Sequence, residues 1–183
     1  IIIPAAGKDP VFPEIPKSMI QVAGQTILDH QVLGLRKAGL TNNKVVVIRG
    51  HEGEQFTRSD VEYLDNDDYL KAHSLHSLFC AEPAMEDGFL MIYSDILFDE
   101  ALIQRLVESD GDIVLLIDNS YRYHVHDVDK RLDLASGRHQ HTSKPYSLIL
   151  DSPVTINRIG KDISTQEADY EFIGMAFFSE KGA

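Results

Sequence analysis

The feature that most constrains this chain is the alternation of short β-branched or apolar runs with amphipathic stretches of helical period. Ile1 to Ala5 predicts a strand, Thr26 to Ala38 a helix closed by a glycine cap at Gly39, and Lys44 to Ile48 a second strand. Val61 to Leu64 predicts a short strand, Ser74 to Ala84 a helix with Ser74 at its N-cap, and Phe89 to Tyr93 an almost wholly apolar, buried strand. Asp99 stands at the cap of a helix running to Ser109, and Ile113 to Ile117 predicts another buried strand. Such strand–helix–strand repetition implies a largely parallel sheet with helices on both faces. The expected fold is α/β: a Rossmann-like, doubly wound, mixed but mostly parallel sheet.

The alternation breaks between Asn119 and Lys144, a polar segment with four histidines, which predicts an insertion or mobile loop at about 119–146. Further β-type runs follow at Ser147 to Leu150, Val154 to Ile159 and Phe172 to Phe178, as antiparallel additions to a parallel core. No internal repeat or low-complexity tract divides the chain, so residues 1–183 are expected to form one domain.

Composition narrows the function classes. No apolar run approaches the roughly 20 residues needed to span a bilayer, and the one cysteine, Cys80, cannot form an internal disulfide. A cytoplasmic protein is expected. The net charge of -12 argues against nucleic acid, whose backbone is bound by clustered Lys and Arg. The charge is uneven, however. Residues 1–50 carry six basic groups against three acidic ones, and a small anion fits that basic quarter.

Two places suit chemistry. The turn after the first strand, Pro4-Ala5-Ala6-Gly7-Lys8, precedes Pro16-Lys17-Ser18-Met19. Small residues there let backbone amides approach phosphate oxygens while lysines neutralise them, although such turns also serve merely as connections. Neither a G-x-G-x-x-G after the first strand nor a G-x-x-x-x-G-K-[ST] is present. The second place is Tyr93-Ser94-Asp95, at the carboxyl end of an apolar strand. In a doubly wound sheet, ligands bind beyond those ends where the strand order reverses, so Gly7 and Asp95 face one crevice if their strands are neighbours there. Asp95 suits Mg²⁺, a hard cation, or else caps the next helix, a role Asp99 fills better.

In order along the chain, Ile1-Ile2-Ile3-Pro4-Ala5-Ala6-Gly7, Pro16-Lys17-Ser18-Met19-Ile20, Gly24, Thr26, Asn66, Tyr69, Ser74, Ser77, Ser94-Asp95, Ile159-Gly160-Lys161-Asp162 and Glu171-Phe172-Ile173-Gly174 form a combination more specific than any one motif. It resembles the nucleotidyltransferases that activate sugar phosphates, phosphocholine and phosphonates, whose fold is the nucleotide-diphospho-sugar transferase type. The resemblance is closest to the cytidylyltransferase domains linked to phosphoenolpyruvate mutase in phosphonate biosynthesis. It implies a Mg²⁺-dependent transfer of CMP from CTP to a phosphonate or phosphocholine-like acceptor with release of pyrophosphate. The acceptor is already anionic, so positioning and charge neutralisation do the work and no general base is needed. By resemblance, Pro4, Ala5, Ala6, Gly7 and Ser94 hold the nucleotide, Lys17 the reacting phosphates and Asp95 the Mg²⁺. Lys8 and Lys161 add positive charge, Asn66, Ser74 and Ser77 read base and ribose, and Glu171 contacts an acceptor amine or hydroxyl. A fused phosphonate-pathway domain, and a second acidic metal ligand beyond Ala183 in a somewhat longer catalytic domain, are expected. A sugar-1-phosphate nucleotidyltransferase and a nucleotide-binding domain without catalysis are the alternatives.

Where the family has a second glycine and an arginine, this chain has Asp9 and Pro10. Asp9 repels a triphosphate unless it turns away or holds a cation. The pairs His124/His126 and His139/His141 have a spacing that binds Zn²⁺, but in a polar segment without cysteine a solvated loop is expected. Cys80 is expected as a small core residue within a helix, and Asp65 to Asp68 as a solvated turn.

Overall fold

The computed structural model describes residues 1–71, 74–124, 132–137 and 153–183. They form two compact units, Ile1–Val114 with Gly174–Ala183, and Leu115–Ile173.

The first unit is built on β1 (Ile2–Pro4), the small hairpin β2 (Gln21–Val22) and β3 (Gln25–Thr26), α1 (Ile27–Lys37), β4 (Val46–Arg49), β5 (Glu62–Asp65), α2 (Ser74–Phe79), β6 (Phe89–Ile92) and α3 (Glu100–Glu108). β1 lies between β4 and β6 and runs parallel to both, and β5 extends the parallel set beyond β4. Strand order thus grows outward from β1 to one side and then reverses to place β6 on the other. That reversal is the topological switch point of an open α/β sheet. The carboxyl-terminal part of β10 (Tyr170–Phe178) pairs antiparallel with β6, from Met175 opposite Ile92 to Phe178 opposite Phe89.

Adjacent strand residues point to opposite faces, so the burial of both Ile2 and Ile3, and of Val46, Val47 and Ile48 in succession, requires cover on both sides. On one side Ile2, Val46 and Ile48 pack with Leu78 of α2 and with Ala81 and Met85. α1 and α3 pack on each other. α1 begins where expected because Thr26 and Asp29 form a reciprocal capping box, each side chain accepting from the other's backbone N–H. α3 is capped by Asp99, whose carboxylate accepts from the Ala101 N–H.

The second unit contains β8 (Leu134–Gly137), β9 (Ile156–Gly160) and the first residues of β10. β8 pairs antiparallel with both, Leu134 standing opposite Gly160 and Glu171. Tyr121, Leu134, Ile163 and Ala168 form its core. β7 (Ile113–Asp118) straddles the two units.

Three expectations are corrected. The helix from Ser74 stops at Phe79, and a separate 3₁₀ turn with Pro83 near its start covers Glu82–Ala84. A proline lacks the N–H that an α-helix interior needs. Cys80 therefore lies past the helix end and is only half-buried. β7 is not a buried strand: Ile113 is 54% exposed and no residue of the strand is fully buried. Its one sheet neighbour among the described residues is β10, an edge position that leaves apolar side chains partly in water. The Ser147 to Leu150 run, His126, His139 and His141 lie outside the described residues, as does most of the 119–146 segment.

Candidate active site

β1 and β6 are neighbours at the switch point, so the turn after β1 and the turn after β6 open from the same end of the sheet. Ala5 and Ala6 are buried, and the backbone of the turn is bound to the end of β4: Ala5 N–H donates to Ile48 O and His51 N–H to Ala6 O. Gly7 is different. A Cβ built on it would meet no atom within 4 Å, and its φ is not in the left-handed region. Protein packing therefore does not demand glycine at this position, and the backbone there is open to close approach.

The turn runs on through Asp9 and returns to Lys17, which opens a short 3₁₀ turn, Lys17–Met19. His51, buried at the end of β4, ties the returning loop down by a 2.7 Å contact from Nε2 to Pro13 O. The Lys17 Nζ lies 3.0 Å from Asp9 Oδ2 and 3.2 Å from Asp95 Oδ2. Burial works against the ammonium charge, but the hydrogen bonds and attraction of the two carboxylates outweigh it and raise the Lys17 pKa above its ordinary value. The same hydrogen bond from Lys17, helped by the Val11 and Phe12 N–H groups, holds the Asp9 carboxyl below the usual carboxylate range. Of the two outcomes open to Asp9, it holds a cation, and the cation is Lys17.

Asp95 sits on a turn clamped from two sides. The buried Gln31 of α1 donates its side-chain amide to Tyr93 O and to Ile96 O, each at 2.8 Å. Opposite, Tyr93 N–H donates to Gly174 O at 2.8 Å, and the Tyr93 ring lies over Gly174 so closely that a Cβ there would be 2.5 Å from Cδ2. Gly174 has a φ of 89°, which glycine alone adopts without strain. Held in this way, the Asp95 side chain remains 39% exposed and presents hard oxygen donors beside Lys17. No group of three or more His, Cys, Asp or Glu that could hold a metal occurs among the described residues. The donor set nonetheless fits Mg²⁺, which is commonly bound by one or two carboxylates together with substrate phosphates.

The other candidates are distributed as follows. Lys8 is exposed and makes no ion pair with a described residue, one position from the Asp9–Lys17 pair. Ser94 is half-buried on the Asp95 turn. Asn66 and Ser77 are buried and bonded to each other, Nδ2 donating to Oγ at 2.9 Å, while Asn66 Oδ1 accepts from Asp68 N–H. Asn66 is thus an internal member of what composition marks as a solvated acidic turn; its neighbours Asp65 and Asp68 do reach outward, to Arg49 and Lys71. Ser74 opens α2. Lys161 and Glu171 belong to the second unit, where Lys161 Nζ is 3.8 Å from Asp133 Oδ1 and Glu171 lies in β10. His124 is near Asp118, Nδ1 to Oδ2 3.5 Å.

Gln31 and His51 are site-supporting residues that sequence patterning passes over. Gln31 carried a signal: it interrupts the apolar stripe Leu28, Val32, Leu35 of α1, and a polar residue on a core face needs a buried partner. His51 carried none, since its partner lies 38 residues away.

A small-residue turn, a lysine and a strand-end aspartate thus meet at the switch point of an open α/β sheet. The chain belongs to the MobA-like NTP transferase domain family, whose model matches residues 1–149. It is 24% identical over 123 residues to the CTP:phosphoglutamine cytidylyltransferase of Campylobacter jejuni, covering 61% of this chain and 48% of that protein. It is 27% identical over 99 residues to the CMP-5'-(3-aminopropyl)phosphonate synthase of Streptomyces rubellomurinus, covering 50% of this chain and 15% of that protein. The chain spans about half, or less, of the length of the curated relatives it matches. Among solved structures, the inositol-1-phosphate CTP transferase from T. maritima superposes with a TM-score of 0.68 at 20% identity, covering 98% of this chain and 70% of that one. A UDP-glucose pyrophosphorylase from Acinetobacter baumanii does so with a TM-score of 0.66 at 15% identity, covering 98% and 74%. These likenesses concern the fold. No helix among the described residues is long and apolar enough to cross a membrane.

Proposed function

We propose that this chain carries the catalytic site of a Mg²⁺-dependent cytidylyltransferase that transfers CMP from CTP to a small phosphonate or phosphate acceptor. The observation that carries this reading is the convergence of Lys17 and Asp95, 3.2 Å apart, at the end of the sheet where the β1 turn opens. The relatives from Campylobacter jejuni and Streptomyces rubellomurinus, a CTP:phosphoglutamine cytidylyltransferase and a CMP-5'-(3-aminopropyl)phosphonate synthase, support CTP as the donor. We assign the site to the cytoplasm, where CTP is available.

In this reaction an acceptor oxygen forms a bond to the α-phosphorus of CTP as the bond from that phosphorus to the bridging oxygen breaks, and pyrophosphate leaves with the electron pair. The acceptor oxygen is already ionised, so no proton need be removed from it. The exposed backbone at Gly7 lets the triphosphate lie against the β1 turn, and Lys17 neutralises charge on the reacting phosphates. Lys8 adds a second ammonium at the mouth of the turn. Asp95 would hold Mg²⁺, which supplies charge neutralisation and orientation of the phosphates when bound. Ala5, Ala6 and Ser94 line the nucleotide side, and Asn66, Ser74 and Ser77 serve base and ribose recognition.

Pyrophosphate release measured with CTP, Mg²⁺ and a panel of aminoethylphosphonate, phosphocholine and hexose 1-phosphates tests the assignment. Release with a phosphonate or phosphocholine is expected. Turnover with hexose 1-phosphates alone would reject it in favour of a sugar-1-phosphate enzyme, and CTP binding without release under any acceptor would mark a non-catalytic nucleotide domain.

A further inference from the structure

The ammonium assigned to the incoming phosphates is already paired. Lys17 Nζ is held by Asp9 at 3.0 Å as well as by Asp95 at 3.2 Å. Asp9 is not a wandering surface acid. Its side chain is only 14% exposed, and its Oδ1 accepts from the N–H groups of Val11 at 2.7 Å and Phe12 at 3.3 Å. The loop's own turn therefore fixes the carboxylate with its second oxygen against Lys17. Asp9 is a carboxylate at neutral pH, and the Lys17 hydrogen bond holds its pKa below the usual carboxylate range. One cation flanked by two anions leaves this trio with a net negative charge.

A polyanionic triphosphate arriving alone meets two carboxylates and an ammonium with two of its three N–H donors already engaged. To reach Lys17 it must bring its phosphate oxygens beside the Asp9 carboxylate, whose charge repels them. A divalent cation arriving with the triphosphate cancels that repulsion and gives the carboxylates a new partner. We propose that Asp9 is a specificity-determining residue for the form of the nucleotide: by setting a fixed negative charge against Lys17 it makes triphosphate binding conditional on a divalent cation, so that metal-complexed nucleotide is accepted and metal-free nucleotide refused. This rests on the assignment of the β1 turn and Lys17 to the triphosphate.

The test is isothermal titration of the whole chain with CTP at fixed ionic strength, once with MgCl₂ and once with EDTA, for the wild type, Asp9→Asn and Asp9→Glu. Asparagine keeps an oxygen for the Val11 and Phe12 N–H groups and removes the charge, while glutamate keeps the charge. In EDTA, Asp9→Asn is expected to bind CTP about tenfold more tightly than the wild type, the effect of removing one charge several ångströms from the phosphates in a partly solvated site. Asp9→Glu is expected to keep the wild-type ratio of affinities with and without Mg²⁺. An unchanged ratio in Asp9→Asn, a fall in that ratio caused only by weaker binding with Mg²⁺, or a glutamate variant that behaves like asparagine would each overturn the proposal. Failure of all three proteins to bind CTP with Mg²⁺ would instead overturn the nucleotide assignment beneath it.

Discussion

Gln31→Leu is the substitution that most directly probes how the fold holds its site. Gln31 is 1% exposed and its two amide hydrogens serve Tyr93 O and Ile96 O at 2.8 Å, the carbonyls that bracket Asp95. Leucine fits the helix face between Leu28 and Val32 but donates nothing. Two carbonyls in a partly buried turn then lose their partners, each at a cost of about 1–2 kcal/mol. The loss is offset by roughly 1 kcal/mol, because Gln31 Oε1 has no hydrogen-bond partner and its removal relieves a buried polar atom. A net destabilisation of about 1–3 kcal/mol is expected. Urea denaturation followed by far-UV circular dichroism measures it. With a slope of about 2 kcal/mol/M, the midpoint should fall by about 0.5–1.5 M at unchanged slope. A midpoint within about 0.2 M of the wild type would refute the clamp, since a turn indifferent to both hydrogen bonds is not held by them.

Lys17→Ala should lower turnover in the pyrophosphate-release assay by about a hundredfold or more while costing no more than about 1 kcal/mol in urea denaturation, because a partly exposed ion pair stabilises the fold little and a phosphate-facing ammonium matters most in the transition state. Equal losses in both measurements would make Lys17 a structural residue. Gly174→Ala combines a left-handed φ with a Cβ 2.5 Å from the Tyr93 ring, and is expected to destabilise by about 2–4 kcal/mol in the same denaturation experiment. For pH, Asp29 is the informative group. Burial raises its pKa, but hydrogen bonds from Thr26 and Arg58 outweigh this and lower it below 3.8. A carboxyl with a depressed folded-state pKa contributes stability that is fully present above its unfolded value and is lost as pH falls through the folded one. Asp29→Asn should therefore be less stable than the wild type at neutral pH, and the gap between them should narrow as an acid titration passes below about pH 4.

Much of the architecture was legible because burial imposes period on sequence. The apolar runs at Ile1 to Ala5, Lys44 to Ile48 and Phe89 to Tyr93 became β1, β4 and β6, and the Thr26 and Asp99 caps opened α1 and α3. The same periodicity misjudged Ile113 to Ile117, since an apolar run does not say whether a strand is central or at an edge. Cys80 was misplaced for a related reason: the helical pattern continues past Phe79, but the hydrogen-bonding ladder does not pass Pro83.

By itself, the sequence determined that strands and helices alternate, that a small-residue turn and a lysine follow the first strand, and that an aspartate ends another. These are local properties, set by backbone sterics, capping chemistry and the period of side-chain burial. Only the tertiary structure decided that β1 and β6 are neighbours, that Asp9 and Asp95 share one ammonium, and that Gln31 fixes the turn bearing Asp95. Those relations join residues as far apart as Ile2 and Met91, and their strength depends on distances of a few ångströms that no pattern along the chain encodes.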